Sequence, residues 1–163
     1  KSVTVEPASA TDFDGYLSFT GTVDEALELV DYSRFMQDEL GFVYGPYNNF
    51  TDFAPVNEYW SPDMISRLSD GSLQRAWARC YAPKPARAVE YCEKLTPINE
   101  AKFEFSCAYC DVHSSVPAWT RVDYDARVPG AGTLMSVYYP YGEIFLLQKK
   151  KHTDRSSMTR QLS

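Results

Sequence analysis

The densest group of potential ligands is Cys107-Ala108-Tyr109-Cys110 with His113 three residues on. Paired thiolates and an imidazole suit zinc, and a CxxC pair suits thiol exchange. Adding Cys92 completes a Cys₃His set. The second close pair of a zinc ribbon is missing, because Cys80 and Cys92 stand 12 positions apart. Haem attachment needs His directly after the second Cys, where this chain has Asp111. In a regular strand Cys107 and Cys110 also point to opposite faces. The expectation is therefore no cofactor, with zinc at Cys80, Cys92, Cys107, Cys110 and His113 the minor alternative. The thiols read as buried small residues or as two disulfides, for which four cysteines allow three pairings.

Nucleophilic hydrolysis lacks its parts. His113 and His152 are the only histidines. No Gly-x-Ser-x-Gly elbow and no Gly-rich phosphate loop occurs. Asp123 and Asp125 share one face of an alternating segment with Arg121, which reads as a solvated charged face with its own neutralising cation.

Two other features point to contact rather than chemistry. Between Phe42 and Trp60 lie seven aromatics, Phe42, Tyr44, Tyr47, Phe50, Phe53, Tyr59 and Trp60. Proline and glycine break this stretch, and no Lys or Arg occurs from Gly41 to Ser66. Base stacking comes with basic interleaving, so core cover or a protein interface fits better than nucleic acid. The second feature is the tail from Lys149 to Ser163. It carries Lys149, Lys150, Lys151, Arg155 and Arg160 against Asp154, whereas the other 148 residues hold 11 basic and 21 acidic groups. An overall charge of -6 thus divides into an acidic body and a basic tail. The whole-chain charge has the wrong sign for general attraction to nucleic acid.

The elements that would position these residues follow from periodicity. Ser2 to Glu6 alternates as a short strand. Thr22 and Glu25 form a capping box ahead of a helix over 24–40, with Gly41 as its stop. Short helices follow at 62–69, 73–81 and 86–95, the last closed by Thr96-Pro97. Alternation then predicts strands at 101–113, 118–126, 133–139 and 143–148, with turns at 129–132 and 140–142. The pattern reads as α+β: N-terminal helices packed on a C-terminal antiparallel four-stranded meander, with a curved, cone-like sheet as one form of it. Residues 1–148 form one domain and 149–163 the tail.

No apolar run approaches the roughly 20 residues of a membrane helix. The chain begins at Lys1, which suggests a removed leader and an organelle lumen or matrix, or secretion. Asn49-Phe50-Thr51 matches a glycosylation acceptor and agrees with secretion.

Together these features predict a non-enzymatic structural or interaction subunit of a larger assembly. It would dock through Tyr44, Tyr47, Phe50, Phe53, Tyr59 and Trp60 and through the basic tail, onto protein subunits with an acidic surface. One alternative is a small-molecule-binding or lyase/isomerase-type pocket protein. Another is a secreted, disulfide-containing effector.

Overall fold

The computed structural model describes residues 23–159 except 58, 78 and 111, with side chains from 28 to 149. The strand expected at 2–6, the Thr22–Glu25 capping box and Arg160 lie outside the described residues, as do the side chains of Lys150, Lys151 and Arg155.

Helix α1 (Val23–Arg34) continues through one wide turn, Phe35–Glu39, and stops at Gly41, which takes a left-handed φ of 69°. This helix is the expected one. Strand β1 (Tyr47–Asn48) leads into a long excursion of short extended pieces linked by antiparallel bridges, Phe53 with Tyr81, Ile65 with Pro83 and Arg67 with Leu73. Helix α2 (Pro85–Phe103) starts on a proline at its first position. Strand β2 (Tyr109–Cys110) then pairs in parallel with β1, Tyr47 opposite Tyr109 and Asn48 opposite Cys110. The single turn α3 (Val112–Ser115) and the 3₁₀ turn Ala118–Arg121 lead to the long helix α4 (Met135–Thr159).

The order is therefore α1-β1-α2-β2-α3-α4 around an open parallel pair, and the four-stranded antiparallel meander is overturned. Parallel strands need a long crossover, which the excursion and α2 supply. The strands expected at 133–139 and 143–148 are one helix. Its buried residues Val137, Tyr141, Ile144 and Gln148 recur at helical spacing. Pro140 sits inside it rather than in a turn. The helix expected to close at Thr96-Pro97 instead runs through Pro97 to Phe103, burying Ala88, Cys92, Leu95, Asn99 and Phe103 along one stripe. The piece at 62–69 is only one 3₁₀ turn, Pro62–Met64, and 73–81 is bridged extended chain. Of the strand over 101–113 only Tyr109–Cys110 is extended and paired, and 118–126 begins as the 3₁₀ turn.

The buried stripes of α2 and α4 face each other across the main core, which also takes Phe50, Phe53, Ile65 and Val122. Gln148 joins the two helices by donating to the Thr96 hydroxyl at 2.8 Å and to the Cys92 sulfur at 3.2 Å. A second core, Leu29, Phe103 and Phe105, seats α1. There Arg34 grips Glu104 with two hydrogen bonds of 2.9 and 2.7 Å. The backbone of the basic tail continues α4 as far as Thr159.

Candidate functional site

In parallel α/β sheets ligands bind outside the carboxyl ends of the strands, because the loops there converge while the other ends are occupied by returning chain. Here those loops are Asn49–Asp52 after β1 and Val112–Ser115 after β2. They meet where the Phe50 ring lies 6.0 Å from the His113 ring, and His113 in turn lies edge-on to Tyr141 at 5.2 Å.

Beside this contact is a cleft of about 540 Å³ lined by His113, Ser114, Trp119, Tyr138, Tyr141 and Phe145. Its volume suits one small-molecule ring. Trp119 is 70% exposed and Tyr138 65% exposed, while Tyr141 is buried. Both exposed rings line the cleft and offer it their apolar faces.

Behind the cleft is a buried polar network centred on Asp52, which is 1% exposed. Its carboxylate accepts from Asn49 Nδ2 at 2.7 Å and from Thr51 Oγ1 at 3.4 Å. Trp77 Nε1 also donates to it. Arg121, itself 6% exposed, places Nη2 3.4 Å from Asp52 Oδ1. Burial raises the Asp52 carboxyl above the usual carboxylate range, opposed by these four donors. Burial likewise raises the Tyr141 phenol, which feels both Arg121 and Asp52. Arg121 Nε has no hydrogen-bond partner among the described residues.

A second network lies at the start of α2. Lys84 Nζ stands 3.1 Å from Asp125 and 3.9 Å from Asp123, and it donates to the Ile65 carbonyl at 2.8 Å. Arg127 clamps Asp125 and reaches Asp63 at 3.1 Å, and these contacts hold the Asp125 carboxyl well below its usual range. Asp123 accepts the Arg67 backbone N–H at 2.7 Å and so pins the excursion. Arg121, Asp123 and Asp125 are thus buried, not a solvated face. Asp52 neutralises Arg121, and Lys84 serves the two aspartates.

The sequence-predicted residues are placed as follows. Phe50 and Phe53 are in the main core, with Tyr59 and Trp60 packed against it, so this part of the loop is core cover. Tyr44 is half-buried against Tyr32 and Phe105, and Tyr47 stacks on Tyr109 at the surface. Lys149 is exposed. All four cysteines are free thiols. Burial raises the Cys92, Cys107 and Cys110 thiols, Cys110 up to about 12, so at neutral pH they are protonated and poor nucleophiles or ligands. Among the described residues no group of three His, Cys, Asp or Glu is gathered to hold a metal. No helix among them is long and apolar enough to cross a membrane. The glycosylation-acceptor nitrogen of Asn49 is engaged with Asp52.

Asp52, Arg121, Trp77 and Tyr141 were not singled out as a site by sequence reasoning. The available signal was a carboxylate inside the apolar run Phe50-Thr51-Asp52-Phe53-Ala54, where a charge stays only if something pairs with it.

No family model and no curated protein matches the chain. Among solved structures it is similar to the α-N-acetylgalactosaminidase NagBb from Bifidobacterium bifidum. In the ligand-free form the TM-score is 0.63 at 19% identity, over 87% of this chain and 24% of that one. In the complexes with Gal-NHAc-DNJ and with GalNAc the TM-scores are 0.58 and 0.56, each at 20% identity over 71% of this chain and 19% of that one. The chain thus spans a quarter or less of the length of these structures, and what it shares with them is the fold.

Proposed function

We propose that the chain is a carbohydrate-binding segment of a glycoside-processing α/β fold, and that its cleft takes an N-acetylhexosamine. The supporting observation is the convergence, at the carboxyl ends of β1 and β2, of an aromatic cleft and a buried Asp52–Arg121 network. A pyranose has an apolar C–H face for Trp119 or Tyr138 and a hydroxyl rim for Ser114. The likeness to an α-N-acetylgalactosaminidase supports the choice of sugar class. Glycoside hydrolysis calls for two carboxyl groups flanking the bond. Asp52 is committed to four donors, so its part in this reading is positioning.

Calorimetric titration with N-acetylgalactosamine tests the reading. Saturable binding is expected, with Trp119→Ala weakening it about tenfold, as loss of an aromatic stack of about 1 kcal/mol would. An unchanged affinity in that variant would place the sugar elsewhere, and no binding at all would end the reading.

A second reading, a docking block of a larger assembly, is favoured by the open sheet. Among the described residues no further strand pairs with the outer edges of β1 and β2, and Phe42, Val43 and Tyr109 stand exposed close to the pair in sequence. Sedimentation with candidate partner subunits at low and high salt checks it. Salt-sensitive association supports a contribution from the basic tail, and a monomer under every condition contradicts it.

A further inference from the structure

We propose that Gly142 is the seat of the acetamido methyl group in the cleft, and so selects an N-acetylhexosamine over the plain hexose. The proposal rests on the carbohydrate reading above and deepens it from the sugar ring to one substituent.

Gly142 lines the cleft from inside α4, with Tyr138 about one turn before it and Phe145 about one turn after. Its backbone is helical with no positive φ, so conformation does not call for glycine. Close packing does not call for it either, since a Cβ built there meets nothing within 4 Å. Gly45 is the contrast, where a Cβ strikes the Cys107 backbone. A glycine inside a helix is less stable than an alanine, so the fold alone gains nothing from this one.

What the glycine leaves is a gap in an otherwise aromatic wall. The His113 ring packs against Tyr141 at 5.2 Å and Phe145 at 6.0 Å, which fills the side of the helix toward α3. At Gly142 the helix stays bare. Carbon atoms pack at about 3.5–4.0 Å. The clear space around the Cβ position therefore admits a carbon atom of a ligand against the backbone.

The chemistry of the gap selects the group. Among the described residues lining the cleft none is Lys, Arg, Asp or Glu, so a charged substituent would be desolvated without a partner. A hydroxyl between the rings would lose its hydrogen bonds to water, whereas a methyl gains by leaving water. An N-acetylhexosamine carries such a methyl on a short planar amide. Ser114 and Ser115 bring hydroxyls to the same cleft for the polar atoms of that amide.

Calorimetric titration of the full chain with N-acetylgalactosamine and with galactose tests the seat. One methyl in an apolar pocket decides about tenfold, so the wild type should bind N-acetylgalactosamine about tenfold more tightly than galactose. Gly142→Ala should remove that preference, weakening N-acetylgalactosamine about tenfold and leaving galactose within twofold. Urea unfolding should show the same variant at least as stable as the wild type. A glycine with no part in binding would give the gain in stability and no loss of affinity. In the wild-type complex the acetyl methyl protons should show intermolecular Overhauser effects to the Tyr138 and Phe145 rings, a readout that needs no variant. Equal affinity of the wild type for both sugars, a preference kept in Gly142→Ala, or methyl contacts to Trp119 alone would overturn the seat and leave the cleft reading in place. Equal weakening of both sugars by Gly142→Ala would do the same. Failure of the wild type to bind either sugar would overturn seat and cleft together.

Discussion

Gly45→Ala is expected to be the most damaging alanine substitution among the described glycines. A Cβ at Gly45 would lie 1.7 Å from the Cys107 carbonyl oxygen and 2.5 Å from its carbon. Both are backbone atoms, so no side chain can swing aside. The approach is fixed on either side: Ser106 N–H donates to the Tyr44 carbonyl at 2.9 Å, and Tyr109 N–H to the Pro46 carbonyl at 2.9 Å. Relief requires the two segments to part, which breaks these bonds and the parallel pairing behind them. Overpacking costs about 1–3 kcal/mol where side chains can adjust, and this site should exceed that range. Gly142→Ala is the control. A Cβ there meets nothing within 4 Å, and the residue is inside α4. Replacing a helical glycine should raise stability by about 0.5–1 kcal/mol. Urea unfolding of both variants checks the pair, and a Gly45→Ala loss under 1 kcal/mol would mean that the β1–β2 approach is wrong.

The second large effect is expected at Arg121. Arg121→Met should cost about 3–5 kcal/mol, because it leaves the Asp52 carboxylate buried without its cation. The pH dependence has a definite sign. The folded Asp52 is already raised by burial, and loss of Arg121 raises it further. A carboxyl raised in the folded state contributes its stability fully below its unfolded value, about 3.9, and loses it as pH rises through the folded value. The deficit of the variant should therefore be smallest near pH 4 and grow toward neutrality. Adding Asp52→Asn should recover much of the loss, since the orphan charge is then gone. Thermal melts of the two variants at several pH values decide this. A deficit that shrinks toward neutral pH, or a double variant no better than the single, would contradict the pairing.

Much of the helical half was legible and much of the sheet was not, for reasons that particular residues make clear. Helix α1 carried both its periodicity and its glycine stop. In α4 the stripe Val137, Tyr141, Ile144 and Gln148 was present in the sequence, but Pro140-Tyr141-Gly142 reads as a turn and hides it. Packing against α2 stabilises a helix that local propensity disfavours. Pro97 concealed the second half of α2 in the same way. The strands escaped because they are two residues long and their partners lie far apart in sequence, so no alternation had room to show. Among site residues, His113 was noticed for its thiol neighbours and matters instead for its aromatic ones. Arg121 and Asp125 were noticed as a charged face, and their partners Asp52 and Lys84 are distant in the chain. Such pairings are set by the crossover, which spacing along the sequence does not encode.

Amide NMR mapping with N-acetylgalactosamine tests the central claim most directly. Binding at the carboxyl ends of β1 and β2 predicts saturable shifts confined to residues 49–52, 113–121 and 138–145, with the exposed face of α2 unmoved. Shifts scattered over the surface, or centred away from the cleft, would contradict the account.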